Sequence, residues 1–164
     1  MIESCGKVMP RSFSRRFSMA PKHARVFPTV DIVLVVNGSW VVLIKRAYHP
    51  FEDHLVFPGG HVDEGETTLT ACVRECKEEV GLDLRSDIFE LFMVLDDPSR
   101  DPRPDHTLSI VYLAHIDSSV AAQLKADTDA KQVLIRLIGD LTEEEMGFDH
   151  WKIIAKLRER LWHS

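Results

Sequence analysis

Long apolar runs are missing from the 164-residue sequence. A membrane-spanning helix needs roughly 18 consecutive apolar residues; no stretch reaches that length, so no membrane partner is expected. Cysteine is also scarce, with Cys5, Cys72 and Cys76 as its three examples. An odd number of cysteines, without the regular spacing of a disulfide framework, argues against a secreted domain held together by disulfides. We interpret Cys72 and Cys76 as small buried hydrophobes.

An excess of positive charge, which nucleic-acid-binding proteins usually carry, is missing as well. The formal net charge is −6, and we expect no nucleic acid partner. An acidic protein can still act on phosphates, because bound divalent cations reverse the local field. With 45% apolar and 28% charged residues, the chain has the composition of one globular domain with a substantial core.

The first 25 residues differ from the rest of the chain. They hold six basic residues against one acid and contain no apolar core, which excludes a secretory signal. Their Arg- and Ser-rich composition resembles a mitochondrial presequence, and the alternatives are a disordered basic tail or a start at Met9 or Met19. We therefore predict a flexible segment over residues 1–25 and one folded domain over 26–164. A cytoplasmic location is expected, with a mitochondrial one as the alternative.

Hydrophobic patterning predicts strands interrupted by one mid-chain helix and followed by one terminal helix. The apolar segment 30–36 predicts a buried strand that ends at Asn37-Gly38, a pair typical of hairpin turns. Thr67 and Gly81 are the expected N-cap and stop of the mid-chain helix. The predicted strands cover residues 30–36, 40–44, 55–57, 88–95, 107–116 and 132–138, and the helices 68–80 and 149–162. This order predicts an α/β (α+β) fold with a mixed sheet between helices.

Three carboxylates share one stripe of the mid-chain helix. At about 100° per residue, Glu75, Glu78 and Glu79 lie on one face and the apolar residues on another. Like charges four residues apart repel each other, and the helix C-terminus disfavours anions. Oxygen-rich clusters of this kind suit Mg²⁺ or Mn²⁺. The sequence therefore predicts a divalent metal site here, with a salt-bridged surface helix as the alternative.

A glycine-rich loop, residues 57–66, directly precedes this helix. Gly60 is followed after five residues by Glu66, and after seven more by the run 74–82 (Arg-Glu-Cys-Lys-Glu-Glu-Val-Gly-Leu). This pattern resembles the Nudix box at every fixed position, although the family usually has an aliphatic residue where Cys76 stands. The chain is thereby identified as a member of the Nudix hydrolase family, which implies a Nudix-type α/β/α sandwich with a central mixed sheet.

The resemblance implies roles for the residues of the box. Glu78 and Glu79 are the expected catalytic residues, and Mg²⁺ is the expected cofactor, with Mn²⁺ as the alternative. The metals should neutralise the pyrophosphate and lower the pKa of a bound water. The residues that match metal ligands are Gly60 through its carbonyl, Glu66 through water, Glu75, Glu78 and Glu79, while Arg74 and Gly81 match structural positions.

Outside the box, residues 28–162 resemble the ADP-ribose pyrophosphatase branch of the family. The similar segments are residues 42–51, 97–103, 127–130 and 148–150. The substrate-binding candidates are Arg46, Phe57, Arg100 and Arg103; guanidinium groups suit phosphate geometry, with loop-solvating arginines as the alternative. An acid of the 127–129 loop, Asp129 or Asp127, is the candidate for positioning the attacking water. The alternative there is an ordinary polar turn.

Three functions remain open at this point. The first is hydrolysis of ADP-ribose to AMP and ribose 5-phosphate, which the Arg100 loop favours. The second is a nucleoside triphosphate pyrophosphatase. The third is a non-catalytic sensor resembling regulators of NAD metabolism, in which a winged-helix domain follows, whereas this sequence ends at Ser164 after one helix. The expected partner is a small-molecule nucleotide, and since dimers are common in the family, a homodimer is a further expectation.

Overall fold

The computed structural model describes residues 25–125 and 132–162. At its centre lies a seven-stranded mixed sheet with the order β3-β2-β1-β6-β5, in which β4 also pairs with β1 and β7 with β2. The strands are β1 Val26–Val36, β2 Trp40–Lys45, β3 Leu55–Val56, β4 Gly59–His61, β5 Glu90–Leu95, β6 His106–Ile116 and β7 Gln132–Leu137. The helices are α1 Thr68–Val80, α2 Ser118–Ala121 and α3 Trp151–Trp162.

Strand β1 runs through the middle of the sheet, and from Val30 onward it is buried on both faces. It pairs in parallel with β6 and antiparallel with β2 and β4. Because side chains alternate along a strand, Val33 and Val35 join the core cluster that contains Ile153 of α3. Ile32 and Leu34 point the other way, into the cluster with Cys72 of α1. Helices therefore cover both faces, and the predicted sandwich is confirmed.

Helix α1 has the limits that the sequence predicts. The Thr67 hydroxyl accepts a hydrogen bond from the Thr70 N–H at 3.1 Å, and Gly81 ends the helix with a left-handed φ of 74°. Cys72 and Cys76 are fully buried in its apolar face. Burial raises the pKa of the Cys76 thiol to about 12, which keeps it protonated. Both cysteines are thus packing residues, as predicted.

Several predicted boundaries are wrong. Strand β3 ends at Val56, one residue earlier than predicted. The sequence predicts no strand at residues 59–61, yet they form β4, because their backbone groups pair with Thr29 to Asp31 of β1. The strand predicted from residue 88 begins only at Glu90, because Ile88 is the last residue of a 3₁₀ turn over Ser86–Ile88. Helix α3 begins at Trp151, two residues later than predicted, because residues 148–150 form a turn in which Phe148 has a positive φ of 53°. The sequence pattern does not predict the short helix α2.

Some predictions fall on residues that the structure does not describe. These are the segment 1–24 and the loop 126–131, which contains Asp127 and Asp129. Over the described ranges, no helix is long and apolar enough to cross a membrane.

Candidate active site

A cleft of about 260 Å³ lies beside β1, between the β3–β4 segment, the end of α1 and the loop that precedes β6. All four predicted substrate residues line it: Arg46, Phe57, Arg100 and Arg103. Of the predicted metal set, Gly60 and Glu79 also line it. The topology therefore brings the end of β2, the box and the 96–105 loop together at one place.

Arg74 contacts the three box glutamates that do not line the cleft. Its guanidinium donates two hydrogen bonds to the Glu66 carboxylate, at 3.1 and 2.9 Å. It also donates to Glu75 at 2.8 Å and to Glu78 at 3.1 Å, while the His61 carbonyl accepts another bond at 3.0 Å. The hydrogen bonds from Arg74 lower the pKa of Glu66 from its ordinary value. Arg74 thus connects the loop to the helix.

Gly60 and Glu79 connect the box to the cleft. A Cβ at Gly60 would collide with the Glu75 carboxylate where it now lies, so the glycine lets the backbone approach that side chain closely. Nearby, the Gly59 N–H donates to Oε2 of Glu79 at 2.8 Å. This bond fixes the last box glutamate against the loop in which the Gly60 carbonyl lies.

The donor set fits a hard divalent cation in its chemistry, since it consists of carboxylates and a main-chain carbonyl. Arg74 bridges Glu75 and Glu78, and within residues 25–125 and 132–162 no three acidic, His or Cys side chains are arranged around one point. A metal and Arg74 would therefore share the same carboxylates. The residues that could hold the cation remain Gly60, Glu66, Glu75, Glu78 and Glu79.

Two guanidinium groups lie against one aromatic ring on the cleft wall. The Arg46 Cζ is 4.9 Å and the Arg103 Cζ 5.6 Å from the centre of the Phe148 ring, distances typical of cation–π contacts. Asp101 balances one of these charges, because both of its carboxylate oxygens accept hydrogen bonds from the Arg103 guanidinium. Burial and the charge of Arg103 lower the pKa of Arg46, so an anion at this site would relieve the repulsion between the two arginines.

Arg100 has a different environment from Arg103. Its side chain is only 6% exposed, and it lies 3.5 Å from Asp31 and 3.0 Å from Asp149. Its guanidinium also donates to the Thr107 hydroxyl at 3.3 Å. The side chain borders the cleft, but these contacts are internal to the protein. A direct substrate contact by Arg100 stays a prediction.

Sequence reasoning does not single out several side chains that line the cleft. Buried Asp31 accepts a hydrogen bond from Ser109 and lies 3.4 Å from His150. For His150 the sequence favours a role in stabilising a loop or helix end, and the resemblance of segment 148–150 is the available signal. The other cleft residues of this kind are Tyr48, Asp101, Thr107 and Phe148.

Comparison with known proteins agrees with this geometry. A family model described as the NUDIX domain matches residues 26–157. The chain belongs to the Nudix family. It is 40% identical over 121 residues to the ADP-ribose pyrophosphatase of Methanocaldococcus jannaschii, which covers 74% of this chain and 67% of that protein. Its assignment to the Nudix hydrolases, and to their ADP-ribose pyrophosphatase-like branch, is confirmed.

Solved structures show the same fold. One is the bifunctional NMN adenylyltransferase/ADP ribose pyrophosphatase of Francisella tularensis in complex with AMP and a manganese ion, with a TM-score of 0.73 and 29% identity over 85% of this chain and 43% of that one. Another is the NUDIX domain of Shewanella oneidensis NrtR with ADP ribose, with a TM-score of 0.72 and 25% identity over 88% of this chain and 94% of that one. The Nudix chain thus spans less than half of the Francisella protein.

Proposed function

We propose that this Nudix protein hydrolyses ADP-ribose to AMP and ribose 5-phosphate with the help of a divalent cation, most readily Mg²⁺ or Mn²⁺. The observation that carries the proposal is the composition of one cleft. Gly60 and Glu79 of the box line it together with Arg46, Arg103 and Phe148. Two oxygen ligands suited to a metal-bound pyrophosphate thus lie beside two arginines and an aromatic ring, which suit an anionic ligand with a planar base.

Each residue has a defined part in this proposal. A divalent ion held by Glu75, Glu78, Glu79 and the Gly60 carbonyl would neutralise the pyrophosphate and lower the pKa of a bound water. The arginine pair on Phe148 binds the negative charge of the substrate, and Phe148 offers a face for stacking. The Gly59 N–H holds Glu79 in place at 2.8 Å, so this carboxylate needs little reorganisation during the reaction.

The distribution of lysine supports a diphosphate derivative over a triphosphate. Between Arg46 and Ala114 the sequence contains one lysine, Lys77. Its ammonium pairs with Asp83 at 2.8 Å on the exposed side of α1, and no lysine lines the cleft formed by the described residues. A triphosphate carries additional negative charge, and the described lining of the cleft offers no lysine ammonium group to bind it.

The proposal is tested by comparing kcat/KM for ADP-ribose with that for each nucleoside triphosphate at equal Mg²⁺. We expect ADP-ribose to have the higher value and to yield AMP and ribose 5-phosphate in equal amounts on chromatography. Glu79→Gln is the control for contaminating hydrolases, since it should abolish most of the turnover. A higher kcat/KM for any triphosphate would overturn the substrate and leave the family assignment intact.

A sensor function is the second candidate, because the NrtR domain with TM-score 0.72 was solved with ADP ribose. The two candidates differ in turnover and not in binding. Calorimetry with ADP-ribose, followed by product analysis with Mg²⁺ and with Mn²⁺, separates them. Tight binding without AMP release under both conditions would favour the sensor.

A further inference from the structure

His150 and Asp31 form a buried pair at the base of the cleft. Their side chains are 5% and 11% exposed, and the His150 Nε2 lies 3.4 Å from an Asp31 oxygen. A histidine next to a buried aspartate in an enzyme cleft resembles a general-base dyad. The partner on the other side of the ring decides whether it can act as one.

That partner is the backbone of Phe57. The Phe57 N–H donates to His150 Nδ1 at 3.0 Å, and a ring nitrogen that accepts a hydrogen bond carries no proton. The proton of the neutral ring therefore lies on Nε2, directed at Asp31. Both nitrogens have protein partners, so neither is available to take a proton from a substrate or water.

His150 binds the start of the segment Phe57–Gly59, which directly precedes the candidate metal ligand Gly60. The Pro58 carbonyl accepts from the Ile32 N–H at 2.8 Å, and the Gly59 N–H donates to Glu79 at 2.8 Å. Phe57 is thus bound by His150, Pro58 by β1 and Gly59 by α1. Gly60, whose carbonyl is a candidate metal ligand, follows directly.

Further charges hold Asp31 in place from the opposite side. Arg100 lies 3.5 Å from Asp31 and 3.0 Å from Asp149, and Ser109 donates a hydrogen bond to Asp31. Asp149 precedes His150 in the chain and fixes the entrance of α3 to the same guanidinium. The pair is therefore bound to β1, β6, the 96–105 loop and the start of α3.

We propose that His150, backed by Asp31, is a positioning residue: as the neutral Nε2–H form, it couples the start of α3 to the Phe57–Gly60 backbone and sets the affinity of the box for its divalent cation. The inference rests on the proposed metal-dependent function. It assigns His150 no proton transfer. Groups that orient metal ligands from behind typically change metal affinity by about 10- to 100-fold when they are lost.

The test measures Mn²⁺ binding directly, by the loss of the free-ion EPR signal, together with kcat at saturating Mn²⁺. His150→Phe keeps a ring between Phe57 and Phe148 but removes the hydrogen bond from Phe57 and the polar contact with Asp31. The Mn²⁺ dissociation constant should therefore rise about tenfold or more. His150→Gln offers an acceptor and a donor on one amide and should recover most of the affinity. His150→Asn is shorter, reaches one partner only and should lie between them; if the Phe variant does not fold, the difference between the Gln and Asn variants decides the question.

Ile153→Val is the matched control for stability. This residue is fully buried on α3, the helix that His150 directly precedes. It does not border the cleft, so its variant loses core packing without touching Phe57. It should bind Mn²⁺ within twofold of the wild type. An equal loss of affinity in this variant would overturn the proposal, since general destabilisation of α3 would then explain the effect.

The remaining outcomes are also decisive. Wild-type Mn²⁺ affinity in His150→Phe, or no recovery in His150→Gln, overturns the positioning role. Normal Mn²⁺ binding by His150→Gln with a large loss of kcat also overturns it, since His150 would then act in proton transfer. If the wild-type protein takes up no Mn²⁺, the proposed metal-dependent function fails and the inference fails with it.

Discussion

Glu79 and Gly59, 20 residues apart in the chain, are joined by a hydrogen bond of 2.8 Å from the glycine N–H to the carboxylate. The bond crosses from the strand that opens the box to the last turn of α1. The helix dipole disfavours a carboxylate at that end, and the N–H offsets part of this cost. Glu79 is thereby held at the cleft, while Glu78 extends from the same turn toward Arg74.

Glu78→Gln and Glu79→Gln should each lower kcat by at least ~10²-fold, the scale of electrostatic contributions to catalysis of a few kcal/mol. Each change removes a ligand charge and preserves side-chain shape. Steady-state kinetics at saturating Mg²⁺ measure the effect, and circular dichroism confirms the fold. Glu144→Gln, on the exposed surface far from the box in sequence, is the matched control. Near-wild-type turnover in both box variants would contradict the metal assignment.

The sequence predicts the local parts of this site well. Helix α1 follows from its caps and its apolar stripe. Strand β4 escapes prediction because Gly59 and Gly60 have little intrinsic strand preference, and only pairing with β1 defines it. The Asp31–His150 contact joins residues more than a hundred positions apart, a distance over which neither periodicity nor spacing gives a signal.

An acid in the 127–129 loop remains the predicted partner of the attacking water. This loop lies outside the described residues. Asp127→Ala and Asp129→Ala are compared separately, and one of them should lose at least ~10-fold in kcat, within the range of general-base effects. Wild-type kcat in both variants would place the base elsewhere.

Deletion of residues 1–25 should leave kcat/KM within about threefold of the full chain, because no element of the box precedes residue 57 and the segment has no periodic apolar face. The melting temperature should change little. Kinetics and thermal unfolding of both forms check this. A large loss of either quantity would mean that the segment packs on the core or contributes to the cleft.

Asp31 should make stability sensitive to acid. Burial raises the pKa of its carboxyl, but the contacts with His150, Ser109 and Arg100 outweigh burial and hold the pKa below its ordinary value. A lowered pKa stabilises the folded state above the unfolded-state value of about 3.9, and this contribution is lost as pH falls from there through the folded value. Urea unfolding followed from pH 7 to below pH 3 should show this decline near and below the unfolded-state value.

Asp31→Asn should be less stable than the wild type at pH 7 and should lose less stability on acidification. Asp96→Asn, at an exposed position, controls for the removal of one carboxyl group. Parallel pH curves for Asp31→Asn and the wild type would show that another carboxylate governs the acid response.

Arg103 and Arg100 should separate substrate binding from stability. The Arg103 side chain is 48% exposed and lies on the cleft side of Phe148, so Arg103→Ala should raise KM for ADP-ribose by about 5- to 100-fold, as when a charge-assisted contact of roughly 1–3 kcal/mol is lost.

Arg100 is 6% exposed between Asp31 and Asp149. Arg100→Ala removes the buried counter-charge that Asp31 and Asp149 share, and it should lower the free energy of unfolding by about 3–5 kcal/mol. Urea unfolding and initial-rate kinetics on both variants, with Arg25→Ala at an exposed position as control, provide the comparison. A larger KM effect for a fully folded Arg100→Ala than for Arg103→Ala would reverse the two assignments, making Arg100 the substrate contact and Arg103 a partner of Asp101 alone.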